Sequence, residues 1–231
     1  THGCSTMTTS IVWFRNDLRI RDNEVLTRAI AESEQIIPVY IFDPERWRGL
    51  DLGFKKTGPF QTQFVLESVQ FLKENIQQVG SDLLIKSGNP TKIISELVSE
   101  YNVDSVYACK EVTWEEIRQE EDVEQRLKSM NVDFKLIWQS TLYHLEDLVQ
   151  SIDQLPNVFT SFRKKQEKYA KVREEVATPD HIKSPTFPLT VVPGLDEFGY
   201  VASDAVQDDR TAIHLVGGEK SAWERLKHYF W

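Results

Sequence analysis

Five short apolar segments alternate with amphipathic segments over the first part of the chain, and this alternation constrains the fold more than any other feature. Each apolar segment has the length of a buried strand, and the segments between them carry apolar residues at helical spacing. Such an alternation predicts a parallel sheet with helices on both faces, joined by right-handed crossovers. We therefore predict a Rossmann-like, doubly wound α/β fold with a five-stranded parallel sheet in the order 3-2-1-4-5. The predicted strands are 11–14, 36–42, 82–86, 103–109 and 132–138, and the predicted helices are 23–33, 60–78, 90–101 and 114–130.

Local signals mark several boundaries of these elements. Asn23 and Asn89 precede helical patterns and are expected to cap them, and Pro90 suits the first helical position. Pro38 lies within the second apolar segment. Because proline cannot donate a hydrogen bond to a sheet, we expect the second strand to begin near it.

The predicted strand order places a ligand crevice at the carboxyl ends of the first and fourth strands, where the winding direction reverses. Residues 15–23 follow the first strand, residues 110–116 follow the fourth, and both loops are rich in charge. The end of the second strand is expected to line the same crevice from the far side. The candidate ligand-binding residues are Arg15, Asp17, Phe42, Asp43, Glu115 and Glu116.

Each polar candidate also has a structural interpretation. Adjacent carboxylates at a helix start, such as Glu115 and Glu116, gain about 0.3–1 kcal/mol each from the helix dipole. Alternatively, one of them accepts hydrogen bonds from the N–H groups of a flat heterocyclic ligand. Arg15 can form an ion pair with Asp17 or Asp22 in its own loop. The residues alone leave these alternatives open.

Several function classes are excluded by missing motifs. The loop after the first strand contains no glycine, so the dinucleotide loop of NAD-dependent dehydrogenases is absent. A phosphate-binding loop of nucleotide hydrolases, a G-x-S-x-G nucleophile motif and the His/Cys spacing of zinc sites are absent too. A net charge of −9 makes this chain alone a poor binder of duplex DNA.

The composition indicates a reducing compartment. Cys4 and Cys109 are the only cysteines, which suits a cytoplasmic protein without disulfides. We expect no membrane segment, because no apolar run approaches the ~20 residues that a spanning helix needs.

The pattern weakens after residue 140. Four prolines between residues 178 and 211 indicate a connector with little regular structure. The predicted parts are an expression scar (1–6), the α/β domain (7–140) and a helical extension with interdomain connector (141–231). The extension is expected to contain one helix over 142–155, a second, basic helix that ends near Glu175, and a third over 219–231.

Several segments resemble the photolyase/cryptochrome family. Trp13 to Asn23 matches its opening, R-x-D-L-R-x-x-D-N, and residues 80–90 resemble its G-x-x-L-x-V-x-x-G-x-P segment. The resemblance extends from Ser10 to Trp231. Further similar segments are the helix at 56–69, the antenna-binding loop and helix at 111–124, and two segments typical of the DASH branch at 155–164 and 217–231.

This resemblance implies two cofactors in a complete protein. Flavin adenine dinucleotide (FAD) would sit in a helical C-terminal domain, where the light-excited reduced flavin donates an electron to a cyclobutane pyrimidine dimer during DNA repair. An antenna chromophore, methenyltetrahydrofolate or a deazaflavin, would sit on the α/β domain. Glu116 matches the carboxylate that binds the pterin ring, and Glu115 precedes it.

The chain ends where the family's FAD-binding domain is expected to begin. We therefore expect the parent to be a deoxyribodipyrimidine photo-lyase or a cryptochrome, and the isolated chain to be inactive and to bind the antenna weakly. The implied partners of the complete protein are its own FAD-binding domain and damaged single-stranded DNA. Two alternatives stay open, a stand-alone ligand- or partner-binding module and, by fold analogy, an adenine-nucleotide-binding protein.

Overall fold

The computed structural model describes residues 7–211 and 213–231. The predicted expression scar at residues 1–6 lies outside the described residues. Strands and helices alternate through residue 137, as the apolar pattern predicts. The elements are β1 (Thr9–Phe14), α1 (Glu24–Glu32), β2 (Gln35–Phe42), α2 (Pro59–Gln78), β3 (Leu84–Ser87), α3 (Pro90–Tyr101), β4 (Ser105–Cys109), α4 (Trp114–Lys128), β5 (Asp133–Ile137), α5 (Phe159–Tyr169) and α6 (Glu219–Phe230).

The sheet is parallel throughout and has the order β3-β2-β1-β4-β5, which confirms the predicted fold class. β1 is the central strand, and its Trp13 pairs with Val39 of β2 and Ala108 of β4. Because side chains alternate along a strand, the sheet has two apolar faces. Phe14 and Tyr40 face α1 and α2, whereas Trp13 and Val39 face α3 and α4. Helices therefore cover both faces.

Asparagine caps begin two of the helices, as the sequence predicts. The Asn23 side chain accepts a hydrogen bond from the Leu26 amide at 3.0 Å and begins α1. The Asn89 side chain accepts one from the Lys92 amide at 3.1 Å, with Pro90 at the first position of α3. These caps satisfy amide groups that the helix itself leaves unpaired.

Several predicted boundaries are wrong, including those of β2 and α5. β2 begins at Gln35, and Pro38 is inside the strand. Pairing of β2 with β3 starts only at Val39, so β2 is still an edge strand at Pro38 and tolerates the missing amide. α5 ends at Tyr169 instead of near Glu175, and the chain beyond it is held by other contacts, such as that between the Val176 amide and Asp22 at 2.8 Å.

The helix predicted over 142–155 is also wrong. Only two single-turn 3₁₀ helices form there, at Leu145–Asp147 and Ile152–Gln154. The apolar spacing is helical, but Leu142 and Ile152 are exposed. A helix this short gains stability mainly by burying an apolar face, and this segment has no surface on which to bury one.

The connector packs along the sheet edge and the face of α1 and α2. The Ile182 amide donates to the Val79 carbonyl at 2.8 Å, and the Ile182 side chain is buried. The Thr190 hydroxyl accepts from the Ile85 amide at 2.8 Å and donates to the Leu83 carbonyl at 3.1 Å. The connector therefore covers the free edge of β3, which would otherwise present unpaired backbone groups.

The backbone of Gly217, just before α6, lies very close to the backbone of α2. Its amide donates to the Glu67 side chain at 2.7 Å, and the next amide, of Gly218, donates to the Ser68 hydroxyl at 3.0 Å. A Cβ atom at position 217 would overlap the backbone carbonyl oxygen of Phe64, which α2 holds in place.

We expect Gly217→Ala to lower the free energy of unfolding by about 1–3 kcal/mol, because the added methyl group must displace backbone. Gly194→Ala is the matched control. A Cβ atom there meets the carboxylate end of the flexible Asp196 side chain, so the change should stay within about 0.5 kcal/mol. Urea unfolding measures both, and equal stabilities of the two variants would contradict the close approach at Gly217.

Candidate functional site

A cleft of about 540 Å³ opens at the carboxyl ends of β1 and β2. It is bounded by the first turns of α3 and α4 and by the loop that follows β2. Its apolar lining includes Trp13, Tyr40 and Ile41, which are largely buried. The position agrees with the rule that ligands bind at the carboxyl ends of the strands in doubly wound sheets. The volume is typical of a small-molecule site.

The structure brings four of the six predicted site residues to this cleft. Arg15, Asp43, Glu115 and Glu116 line it. Arg15 lies directly behind the first turn of α4, where its Nη2 donates to the Glu116 carbonyl at 3.3 Å. The start of α4 thus meets the ends of β1 and β2 in one site. None of the described residues of β4 lines this site, so the crevice expected between β1 and β4 lies at the ends of β1 and β2 instead.

Asp17 lies outside the cleft lining. One of its carboxylate oxygens accepts from the Arg15 amide at 3.0 Å, and the other accepts from the Gln139 side chain at 2.8 Å. Burial raises the pKa of the Asp17 carboxyl, although the hydrogen bond from the Arg15 amide opposes the shift. Asp17 therefore fixes the turn after β1 and ties it to the end of the sheet, which corrects its expected place on the cleft rim.

Phe42 does not line the cleft either. It is 2% exposed and packs in the core on the side of α1 and α2. Its ring lies 5.9 Å from that of Trp47 and 5.4 Å from that of Phe198. Phe42 shares a sheet face with Phe14 because strand side chains alternate, and its packing inside the core of that face corrects the expectation that it faces a ligand.

Arg15 forms its ion pair with Glu120 and with neither of the aspartates of its own loop. Arg15 Nη1 lies 2.6 Å from Glu120 Oε1, and the two side chains are 5% and 2% exposed. Lys110 forms a second ion pair with Glu120, and the Glu111 amide donates to the same carboxylate at 2.9 Å. The Glu120 carboxylate therefore accepts hydrogen bonds from residues that directly follow β1 and β4.

Glu115 and Glu116 differ in their partners. Glu115 is ion-paired with Lys56 from the loop after β2, and this hydrogen bond lowers the pKa of the Glu115 carboxyl. The carboxylate of Glu116 accepts no hydrogen bond from the part of the chain that the structure describes. Glu116 is thus the carboxylate of this pair that is available to a ligand.

Asp43 completes the acidic side of the cleft. Its carboxylate accepts from the Gln119 side chain at 2.7 Å and from the Glu45 amide at 3.0 Å. Burial raises the pKa of the Asp43 carboxyl. The Gln119 contact joins α4 to the end of β2, so the acidic groups are held by a connected set of side chains.

The lining also carries basic groups, at Arg46, Arg48, Lys56 and Arg118. The Arg118 guanidinium lies 5.1 Å from the centre of the Trp114 ring, which is 70% exposed. A cleft with a carboxylate acceptor and several cations suits a ligand that has both N–H donors and anionic groups.

The sequence interpretation missed Glu120, Gln119 and Lys56. Glu120 follows Glu116 by four residues and therefore lies on the same face of α4, a signal that could have identified it. Gln119 follows Glu116 by three residues and shares this signal, whereas Lys56 carries none, because it meets Glu115 across a long sequence separation.

Among residues 7–211 and 213–231 no group of three His, Cys, Asp or Glu side chains has a geometry that could hold a metal ion. No helix in this described part of the chain has the length and hydrophobicity needed to cross a membrane.

Comparisons with known proteins identify the family. The DNA photolyase family model matches residues 10–181. Cryptochrome DASH of Gloeobacter violaceus is 39% identical over 226 residues, which are 96% of this chain and 44% of that protein. Cryptochrome DASH of Xenopus laevis is 41% identical over 226 residues, 96% of this chain and 43% of that protein.

Solved structures agree. The crystal structure of a cryptochrome from Synechocystis sp. PCC6803 matches with a TM-score of 0.90 and 37% identity, covering 98% of this chain and 47% of that chain. This chain therefore spans less than half the length of these relatives. The matched family model, the DASH relatives and the parallel sheet in the order 3-2-1-4-5 lead to one conclusion: the chain belongs to the DNA photolyase family and has the fold of its N-terminal α/β domain.

Proposed function

We propose that this chain is the antenna-binding part of a longer, light-driven protein of the DNA photolyase family. The observation that supports the proposal most directly is the Glu116 carboxylate, which is unpaired within the described part of the chain. It matches the family's pterin-binding carboxylate, lines the cleft and has no hydrogen-bond partner for its carboxylate among the described residues. A carboxylate at this position is free to accept hydrogen bonds from a ring with N–H donors.

The residues of the cleft fit methenyltetrahydrofolate. Its pterin ring offers N–H donors to Glu116, and its glutamate tail offers carboxylates to basic side chains such as Arg48 and Arg118. The apolar surface of Trp13 and Ile41 suits a flat ring. A deazaflavin without an anionic tail would offer no counter-charge to Arg118, whereas Arg48 and Lys56 already pair with Glu45 and Glu115, so the folate is the better match of the two.

The bound antenna would absorb near-ultraviolet or blue light and pass the excitation energy to FAD. The residues of this chain would bind the chromophore, orient its ring and exclude water from it. In this proposal residues 7–140 carry the site, and residues 141–231 lead to an FAD-binding domain of the same protein. That domain would either carry out the photochemical repair of pyrimidine dimers in single-stranded DNA or act as a photoreceptor.

Absorption and intact mass after native purification of the full-length protein test this proposal. A near-ultraviolet or blue band that accompanies the mass of a folate supports it. An adenine nucleotide as the bound species would favour a nucleotide-binding protein instead. A cleft that takes up no added folate would leave a stand-alone interaction module as the better description.

Glu116→Gln is expected to weaken folate binding by about tenfold to hundredfold in the full-length protein, since a lost acceptor leaves buried N–H donors unpaired at ~1–3 kcal/mol. The variant keeps the shape of the side chain but replaces one acceptor oxygen with a donor. Absorbance of retained folate after dialysis, followed by titration, gives the affinity.

Glu115→Gln is the matched control for this substitution. It makes the same change in charge at the neighbouring position, but removes an exposed ion pair with Lys56, so we expect less than about fivefold weaker binding. If wild type and Glu116→Gln retain folate equally, Glu116 returns to the role of a carboxylate that only stabilises the helix start.

A further inference from the structure

We infer that Glu120 is a positioning residue for the cleft: it does not line the cleft, but through Arg15 it fixes the first turn of α4 and so the place of Glu116. This inference rests on the proposed function, because Glu116 matters to binding only if the cleft takes the antenna. Three observations carry it.

The first observation is the arrangement of donors on Glu120. Its carboxylate is almost fully buried and accepts from Arg15 at 2.6 Å, from Lys110, and from the Glu111 amide at 2.9 Å. One side chain of α4 is thus tied to the segments that leave β1 and β4. Hydrogen bonds that involve a charged group in a buried site are stronger than neutral ones.

The second observation is that Arg15 extends this tie to the start of α4. Besides Glu120, its guanidinium donates to the Glu116 carbonyl at 3.3 Å, to the Gln119 side chain at 3.4 Å and to the Cys109 carbonyl at 3.4 Å. A planar guanidinium with several donors fixes the direction of each partner. The backbone of Glu116 is therefore placed by the same group that pairs with Glu120.

The third observation is that, apart from the exposed ion pair of Glu115 with Lys56, the first turn of α4 has few other contacts. Within the described residues its N-cap, Thr113, makes no side-chain capping hydrogen bond. Trp114, the first residue of the helix, is exposed, and the buried side chains of α4 begin only at Glu120. Loss of the Glu120 charge would leave Arg15 without its buried counter-charge, and the turn that carries Glu116 would shift.

The test compares Glu120→Gln with Glu124→Gln in the full-length protein. Glu124 lies one turn further along α4 and forms an exposed pair with Lys128 at 2.8 Å, so its variant has the same change in charge on the same helix. Titration with methenyltetrahydrofolate is expected to give about tenfold weaker binding for Glu120→Gln and a change below about twofold for Glu124→Gln.

A double variant separates positioning from general loosening. If Glu120 acts through Glu116, Glu116→Gln with Glu120→Gln binds folate as weakly as Glu116→Gln alone, because the group that is positioned is already lost. Glu120→Asp is the second single variant. It keeps the counter-charge of Arg15 and therefore the fold, but is too short to serve Arg15 and Lys110 together, and should give an intermediate loss.

Hydrogen exchange supplies a readout without ligand. Amides 117–120 of the unliganded protein, which donate to carbonyl groups of the first turn, should exchange about tenfold faster in Glu120→Gln than in Glu124→Gln, since local opening of this turn becomes easier. Thermal melting by circular dichroism identifies the temperatures at which both variants are folded.

The outcomes are distinct. If wild type binds folate, Glu116→Gln binds it weakly, and Glu120→Gln matches Glu124→Gln, the positioning role is overturned and the proposed function stands. If the losses of folate-binding free energy in Glu116→Gln and Glu120→Gln add in full in the double variant, Glu120 does not act through Glu116, and the inference is overturned as well. If wild type takes up no folate, the proposed function fails, and the inference fails with it.

Discussion

Arg15→Met is expected to lower the free energy of unfolding by about 3–5 kcal/mol, because it leaves the buried carboxylate of Glu120 without its buried counter-charge. Lys110 remains as a partner, but its side chain is more exposed, so water screens it more strongly than Arg15. The guanidinium also serves the carbonyl groups of Cys109 and Glu116, which methionine cannot.

Two further variants make this prediction specific. Arg28→Met removes an arginine from an exposed pair with Glu24 at 3.0 Å, and should cost less than about 1 kcal/mol. Arg15→Met combined with Glu120→Gln should be more stable than Arg15→Met alone, because the unpaired charge is gone and the amide of Glu111 keeps an acceptor. Equal losses for Arg15→Met and Arg28→Met in urea unfolding would show that the Arg15 pair is not buried in solution.

The fold was predictable because its determinants are local. Strand and helix periods, the asparagine at each of two helix starts and the chirality of crossovers act over short distances or follow general rules. The remaining differences occur where local signals do not decide the structure. β4 begins at Ser105 rather than at residue 103, and the segment 142–155 has helical spacing without a surface to pack against.

The site was predictable only in part. The strand order correctly brings Arg15, Asp43 and Glu116 to one edge of the sheet, but the cleft lies at the ends of β1 and β2 and not between β1 and β4. The partner of each charge depends on side-chain direction, which the sequence does not specify. Arg15 lies close to Asp17 in sequence, but its guanidinium reaches Glu120 on α4 instead, and Lys56 meets Glu115 across the cleft.

Core packing explains the other correction. Asp43 follows Phe42 directly, and the sequence interpretation expected both residues to contact the ligand. Asp43 lies beyond the last residue of β2 and reaches the cleft, whereas the Phe42 ring packs beside Trp47 and Phe198 in the core. Phe198 is distant from Phe42 in sequence, so the pattern of the strand alone does not predict this contact.

Phe42→Ala is therefore expected to lower the free energy of unfolding by about 3–5 kcal/mol, the usual cost of removing a buried aromatic ring. The ring of Phe42 lies 4.8 Å from that of Tyr40 and 5.4 Å from that of Phe198, so a cavity opens between the sheet and the connector. Phe54→Ala is the control, since Phe54 is 58% exposed and its loss should stay within about 0.5 kcal/mol.

A second substitution at position 42 distinguishes a core residue from a ligand-binding residue. Phe42→Leu fills most of the space, so the variant should fold and bind folate within about twofold of wild type. If the Phe42 ring instead stacked on the antenna, its replacement would weaken binding by about 0.5–1.5 kcal/mol. Phe42→Ala should also expose the connector to limited proteolysis near Phe198, because that side chain loses a partner on the sheet. Weaker folate binding by a stable Phe42→Leu variant would return Phe42 to the site.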